Sequence, residues 1–133
     1  MNIHTLNVWA VITASVSAFV IGGLWYSPAL LGTAWKRANG FSVDPAPAGL
    51  KGFSIAFVLS LVMAFNLAMF LNAPGTTLGF GAMAGFLAGA GWVLVGMGIV
   101  AVFENRSWKY VLINGGYLTV ALTVMGAILG GWR

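Results

Sequence analysis

Cysteine is absent from this 133-residue chain. Disulfides, thiolate metal sites and cysteine nucleophiles are excluded together. Histidine occurs once, as His4, and the only acids are Asp44 and Glu104. A metal or haem needs more than one ligand held in place, so none is expected and no cofactor is implied. The chain lacks paired carboxylates and any glycine-rich phosphate loop with its lysine. Enzymatic chemistry is not expected.

Charge is equally scarce. Charged residues make up 6% and hydrophobic ones 60%, against about 25% charged in an ordinary soluble domain. So few ionic groups cannot cover the surface of a small soluble protein, whereas a bilayer removes that demand. The net charge of +4 does not indicate nucleic acid. Lys36, Arg37, Lys51, Arg106, Lys109 and Arg133 are scattered between apolar runs and form no basic stripe that could follow a phosphate backbone.

What is present is a series of long apolar segments, at about 7–26, 53–72, 78–103 and 108–131. Each can cross about 30 Å of hydrocarbon at about 1.5 Å per residue. Their many glycines are tolerated, because in lipid a helix satisfies every backbone group within one segment. Val16-Ser17-Ala18 looks faintly like a cleavage site, but the first seven residues carry no Lys or Arg, and the run is expected to be retained. The expected fold is an all-α membrane protein: one domain over 1–133, a bundle of four transmembrane helices.

The connections carry turn chemistry. Ser27-Pro28 has the form of an N-cap followed by proline. It would open a short interfacial helix from Ala29 to Ala38 that contains Trp35, Lys36 and Arg37. Asn39-Gly40 would end that helix, and Asp44-Pro45-Ala46-Pro47 would form an extended linker. Ala73-Pro74-Gly75 and Glu104-Asn105-Arg106-Ser107 read as tight turns.

An even number of crossings puts both termini on one side, together with the turn at Pro74. Arg133 is the basic residue expected on that side. The other five, Lys36, Arg37, Lys51, Arg106 and Lys109, fall on the opposite side. The positive-inside rule then makes loops 27–52 and 104–107 cytoplasmic and the termini periplasmic, in a cell inner membrane. This arrangement also separates His4 from both acids, so no Ser-His-Asp triad can assemble. Trp9 and Trp132 would anchor the outer boundary, and Trp25, Tyr26, Trp35, Trp108 and Tyr110 the inner one.

Within the spans, Asn66, Asn114, Tyr117 and Trp92 are the candidate ligand contacts. The polar groups could form a mid-membrane patch for a solute. The simpler expectation is that they bond across helices and hold register, each contributing about 0.6–2 kcal/mol. Trp92 could stack on a lipid or pigment, and filling the bundle core is its expected role. Glu104 is expected to pair with Arg106 or Lys109.

Small residues recur at a spacing of four in every span: Ala10, Ala14, Ala18 and Gly22; Ala56, Ser60, Ala64 and Ala68; Thr77, Gly81, Gly85 and Gly89; Gly115, Thr119, Thr123 and Ala127. Gly126 and Gly130 add a pair. Residues four apart share a helix face, and small ones let backbones approach. A tight bundle follows, with little room for a pore inside one protomer.

Two groups of residues together resemble the small bacterial four-span proteins grouped as domain of unknown function 1761. One is Gly22-Gly23-Leu24-Trp25-Tyr26-Ser27-Pro28 with Gly32 and Trp35. The other comprises Phe103-Glu104-Asn105-Arg106, Ile113-Asn114-Gly115-Gly116-Tyr117 and Met125-Gly126-Ala127-Ile128-Leu129-Gly130 with Trp132. The resemblance implies a bacterial cell membrane and one four-helix unit. It brings no activity or substrate. Members often carry a histidine after the tyrosine of the fourth span, where this chain has Leu118.

The expected partners are the lipid bilayer and either further copies of the chain or other membrane subunits. The leading expectation is an oligomer-forming or accessory subunit. An oligomeric carrier or channel for a small neutral solute, using Asn66 and Asn114, is the alternative. A binder of anionic lipid through the basic loops is a weaker third.

Overall fold

The computed structural model describes residues 3–40 and 48–133. The linker Asp44-Pro45-Ala46-Pro47 lies outside them. Within the described residues every regular element is helical. Four helices are long and apolar enough to cross a membrane: Val8–Trp25, Gly49–Leu71, Leu78–Glu104 and Trp108–Gly131.

The first span, α1 (Val8–Trp25), starts where the Asn7 side chain accepts the Ala10 N–H. The short helix α2 (Gly32–Asn39) ends at Gly40, whose φ of 68° is left-handed. There glycine avoids the strain another residue would meet. The helix begins later than Ala29. The Ser27 hydroxyl donates to the Leu24 carbonyl at 2.7 Å instead of capping α2. Its own carbonyl accepts from Leu30 at 3.1 Å and from Gly32 at 2.9 Å. A compact turn results, and a Cβ at Gly32 would lie 2.5 Å from the Tyr26 carbonyl oxygen. Only glycine fits there.

The second span, α3 (Gly49–Leu71), begins four residues before Phe53 and carries Lys51 in its first turn. The third span is α4 (Leu78–Ala88), a π-helical turn at Gly89–Leu94, and α5 (Val95–Glu104). The fourth, α6 (Trp108–Gly131), is capped by the Ser107 hydroxyl, which accepts the Tyr110 N–H. Thr77 caps α4 in the same way.

The helix α6 is the hub. It packs against α1 on one side and against α4 and the π turn on another, while α3 leans chiefly on α1. No substantial packing joins α3 to α4, so the bundle is open rather than closed. Burial agrees: 44% of the apolar 18-residue stretch of α6 is enclosed, against 17% of that of the third span. Ala10, Ala14 and Ala18 of α1, Ala64, Leu67, Ala68 and Leu71 of α3, and Leu122, Met125 and Leu129 of α6 form the core.

The closest approach is between α4 and α6. A Cβ at Gly81 would run into the Gly126 carbonyl, and one at Gly126 into that of Gly81. Gly85 meets the Leu122 carbonyl, Gly89 meets Thr119, and Gly130 meets the Thr77 carbonyl. The face that α6 uses is therefore 115, 119, 122, 126 and 130, not the row ending at Thr123 and Ala127. The α4 row Thr77, Gly81, Gly85 and Gly89 keeps its spacing of four along the contact, whereas the α6 face takes one step of three, from Thr119 to Leu122, and then continues in fours.

Candidate functional site

Cross-helix polar bonds cluster near the end of the bundle that carries Lys36 and Lys51. The side chains come from α1, α2 and α6. Trp25 donates its ring N–H to the Ile113 carbonyl at 2.9 Å, and its ring edge would lie 3.2 Å from a Cβ at Gly116. Tyr26 donates its hydroxyl proton to Asn114 Oδ1 at 2.6 Å. Asn114 Nδ2 donates back to the Tyr110 carbonyl at 3.0 Å, which fixes the amide with its oxygen toward Tyr26. Tyr117, one turn further along α6, donates to the Ala18 carbonyl at 2.9 Å. The Tyr26 ring meets the Tyr117 ring edge-on at 5.4 Å and the Trp35 ring at 5.7 Å.

Gly22 lets the Tyr117 ring lie close against α1: a Cβ there would lie 3.1 Å from the Tyr117 hydroxyl oxygen, so the ring would have to shift by a few tenths of an ångström. Beside the clasp, a groove of about 440 Å³ is lined by Phe19, Gly22, Gly23, Tyr26, Phe53, Ala56, Ser60 and Tyr117. Phe19 contacts the rings of Phe53 and Phe57 along one side. The three hydroxyl groups on the groove have committed their protons, with Ser60 donating to the Ala56 carbonyl at 2.9 Å. Their oxygens retain only lone pairs, so the groove can accept hydrogen bonds but has no proton to give.

The four candidate contacts separate into two pairs. Asn114 and Tyr117 come together. Asn66 instead lies on the exposed surface of α3, where Nδ2 donates to the Val62 carbonyl of its own helix at 2.9 Å. Trp92 is 73% exposed, which corrects the expected core role. It sits in the π turn, whose i→i+5 bonding widens the helix; Gly89 and Leu94 of that turn pack on α6 while Trp92 faces outward.

Thr119 and Thr123 also bond within their own helix, to the carbonyls of Gly115 and Thr119. Register is held across helices by the expected interfacial anchors Trp25 and Tyr26 together with Asn114 and Tyr117, with buried Ser15 reaching the Ser60 carbonyl at 3.4 Å. A Trp N–H or Tyr O–H needs a partner, and water or a carbonyl can serve equally well. The sequence signal for the clasp was the glycine beside each aromatic: Gly22 before Trp25 and Tyr26, and Gly116 before Tyr117.

Trp9, Trp108 and Trp132 remain exposed near helix ends. Arg106 lies 4.9 Å above the Tyr110 ring and pairs with Glu104 at 3.5 Å, a half-exposed pair worth at most about 1 kcal/mol. Arg37, Lys51 and Lys109 are exposed and Lys36 is half-buried. At the opposite end Arg133 donates to the carbonyls of Leu71 at 2.7 Å and Ala73 at 3.1 Å. It closes the C-terminus of α3, a role beyond marking orientation. Among the described residues no cluster of three metal-ligating side chains occurs.

Trp25 and Tyr26 from one of the residue groups that carry the family resemblance thus meet Ile113, Asn114 and Tyr117 from the other in this clasp, and a family profile matches residues 9–130. The chain belongs to the DUF1761 family, described as a protein of unknown function. No curated protein and no solved structure matches it. Membership and the four apolar helices make this DUF1761 chain a multi-pass membrane protein whose spans contact lipid.

Proposed function

We propose that this protein is a non-enzymatic structural unit of the membrane, associating with itself or with other membrane subunits. The observation that carries the reading is the open arrangement of the spans. The hub α6 is held on several sides, while α3 and the third span do not close on each other and turn large apolar side chains outward. Further support is that Tyr26, Tyr117, Trp25 and Asn114 bond to the protein itself, so they build rigidity. The distribution of Lys and Arg favours a cell inner membrane with the termini periplasmic.

Native mass measurement in lipid nanodiscs tests the reading. A discrete oligomer or a stoichiometric complex with another membrane protein is expected. A strictly monomeric species without partners overturns it.

The second reading is an oligomeric carrier or channel for a small neutral solute. The lateral groove with its three hydroxyl oxygens favours it. Flux in reconstituted liposomes that falls when the groove is filled, as in Gly23→Leu and Ser60→Leu, would support it. Flux and stability unchanged in both variants would remove it.

A further inference from the structure

The exposed face of α3 holds a group that hydrocarbon does not tolerate well. Asn66 lies five residues inside the end of the helix at Leu71, about 7–8 Å down at about 1.5 Å per residue. The 23-residue helix is about 34 Å long, close to the roughly 30 Å of hydrocarbon. The amide therefore sits inside the apolar layer. One of its protons goes to Val62. Among the described residues, the second N–H and the carbonyl oxygen have no partner, and Asn66 is exposed. A polar group left unpaired in lipid is costly.

Its neighbours show a pattern. Ile55, Leu59, Val62 and Phe70 are all exposed, and with Asn66 they lie along one face. The steps 55, 59, 62, 66 alternate four and three, which is the seam of a left-handed coiled coil. One asparagine within such a seam fixes register and oligomer number. This face contains none of the small residues that α1, α4 and α6 spend inside the bundle.

We propose that this seam is the interface with a second copy of the chain, α3 lying parallel to its counterpart, with the two Asn66 amides paired across the two-fold axis. The amide is self-complementary: each offers an N–H and accepts one through its carbonyl. A second copy in the same orientation carries its amide at the same depth automatically. An unrelated partner would need its own amide at that level. The inference rests on the associating role proposed above and names its partner and contact.

The cysteine-free sequence makes the test clean. Single variants Ile55→Cys, Leu59→Cys and Val62→Cys on the seam, and Val58→Cys and Phe65→Cys beside it, are oxidised in membranes. Cross-linked dimer is expected to be at least several-fold stronger for the seam positions. In lipid nanodiscs, Asn66→Leu should raise the dimer dissociation constant by roughly 3- to 30-fold, with Asn66→Gln retaining most of the affinity. Asn66 bonds only its own helix, so helicity should be unchanged in the Leu variant, as circular dichroism would verify. Cross-linking equal around the helix, or a dimer indifferent to Asn66→Leu, overturns the seam while leaving self-association intact. A complex with a different subunit and no second copy also overturns it and spares the broader reading. A monomer without partners overturns both.

Discussion

Tyr26 gives its hydroxyl proton to Asn114 across 2.6 Å, joining the end of α1 to α6. Tyr26→Phe leaves the Asn114 oxygen unpaired and should cost about 1–2 kcal/mol. Asn114→Ala added to that variant should cost little more than either change alone. Equilibrium unfolding in mixed micelles, arranged as a double-mutant cycle, measures the coupling. Fully additive losses would contradict the bond.

Gly81 and Gly79 share the first turns of α4 but face different surroundings. A Cβ at Gly81 would collide with the Gly126 backbone, whereas none lies within 4 Å at Gly79. Gly81→Ala should destabilise by about 1–3 kcal/mol or more, as overpacking does. Gly79→Ala should be neutral or stabilising by up to about 1 kcal/mol through helix propensity. Thermal unfolding of both variants checks the contrast, and equal effects would place the α4–α6 contact elsewhere.

The ends of the long helices were legible to within a few residues, because charge and proline cluster at or beyond their first and last turns; α3 begins at Gly49 rather than Phe53. The termination of α2 at Asn39-Gly40 was legible from the left-handed position a glycine fills. Which face of each helix turns inward was much less so. Lipid tails are as apolar as a protein core, so Trp92 facing outward and Leu122 facing inward look alike in the sequence. Asn66 and Asn114 likewise had equal standing, although only one meets a partner inside the bundle. The π turn leaves no periodic signature in a stretch where Gly89 and Gly91 flank Ala90, and it re-aims everything that follows in α5. Trp25 and Tyr26 were legible as residues needing a polar partner, but a carbonyl of α6 fills that need.

Arg133 holds the carbonyls of Leu71 and Ala73, opposite in charge to the partial negative end of α3. Arg133→Gln should cost roughly 0.3–2 kcal/mol and speed hydrogen exchange in the last turn of α3 and the turn after it. Exchange in the middle of α6 should not change. Unaltered exchange around Leu71 would show that the guanidinium does not cap the helix.

Side-specific labelling of single cysteines tests most directly whether the third span crosses the bilayer as the four-helix architecture requires. Pro74→Cys and Lys109→Cys lie on either side of Leu78–Glu104. An impermeant thiol reagent applied to intact cells should modify position 74 and leave 109 untouched, with both reacting once the membrane is broken. Modification of both positions from the same side of a sealed membrane would contradict the account.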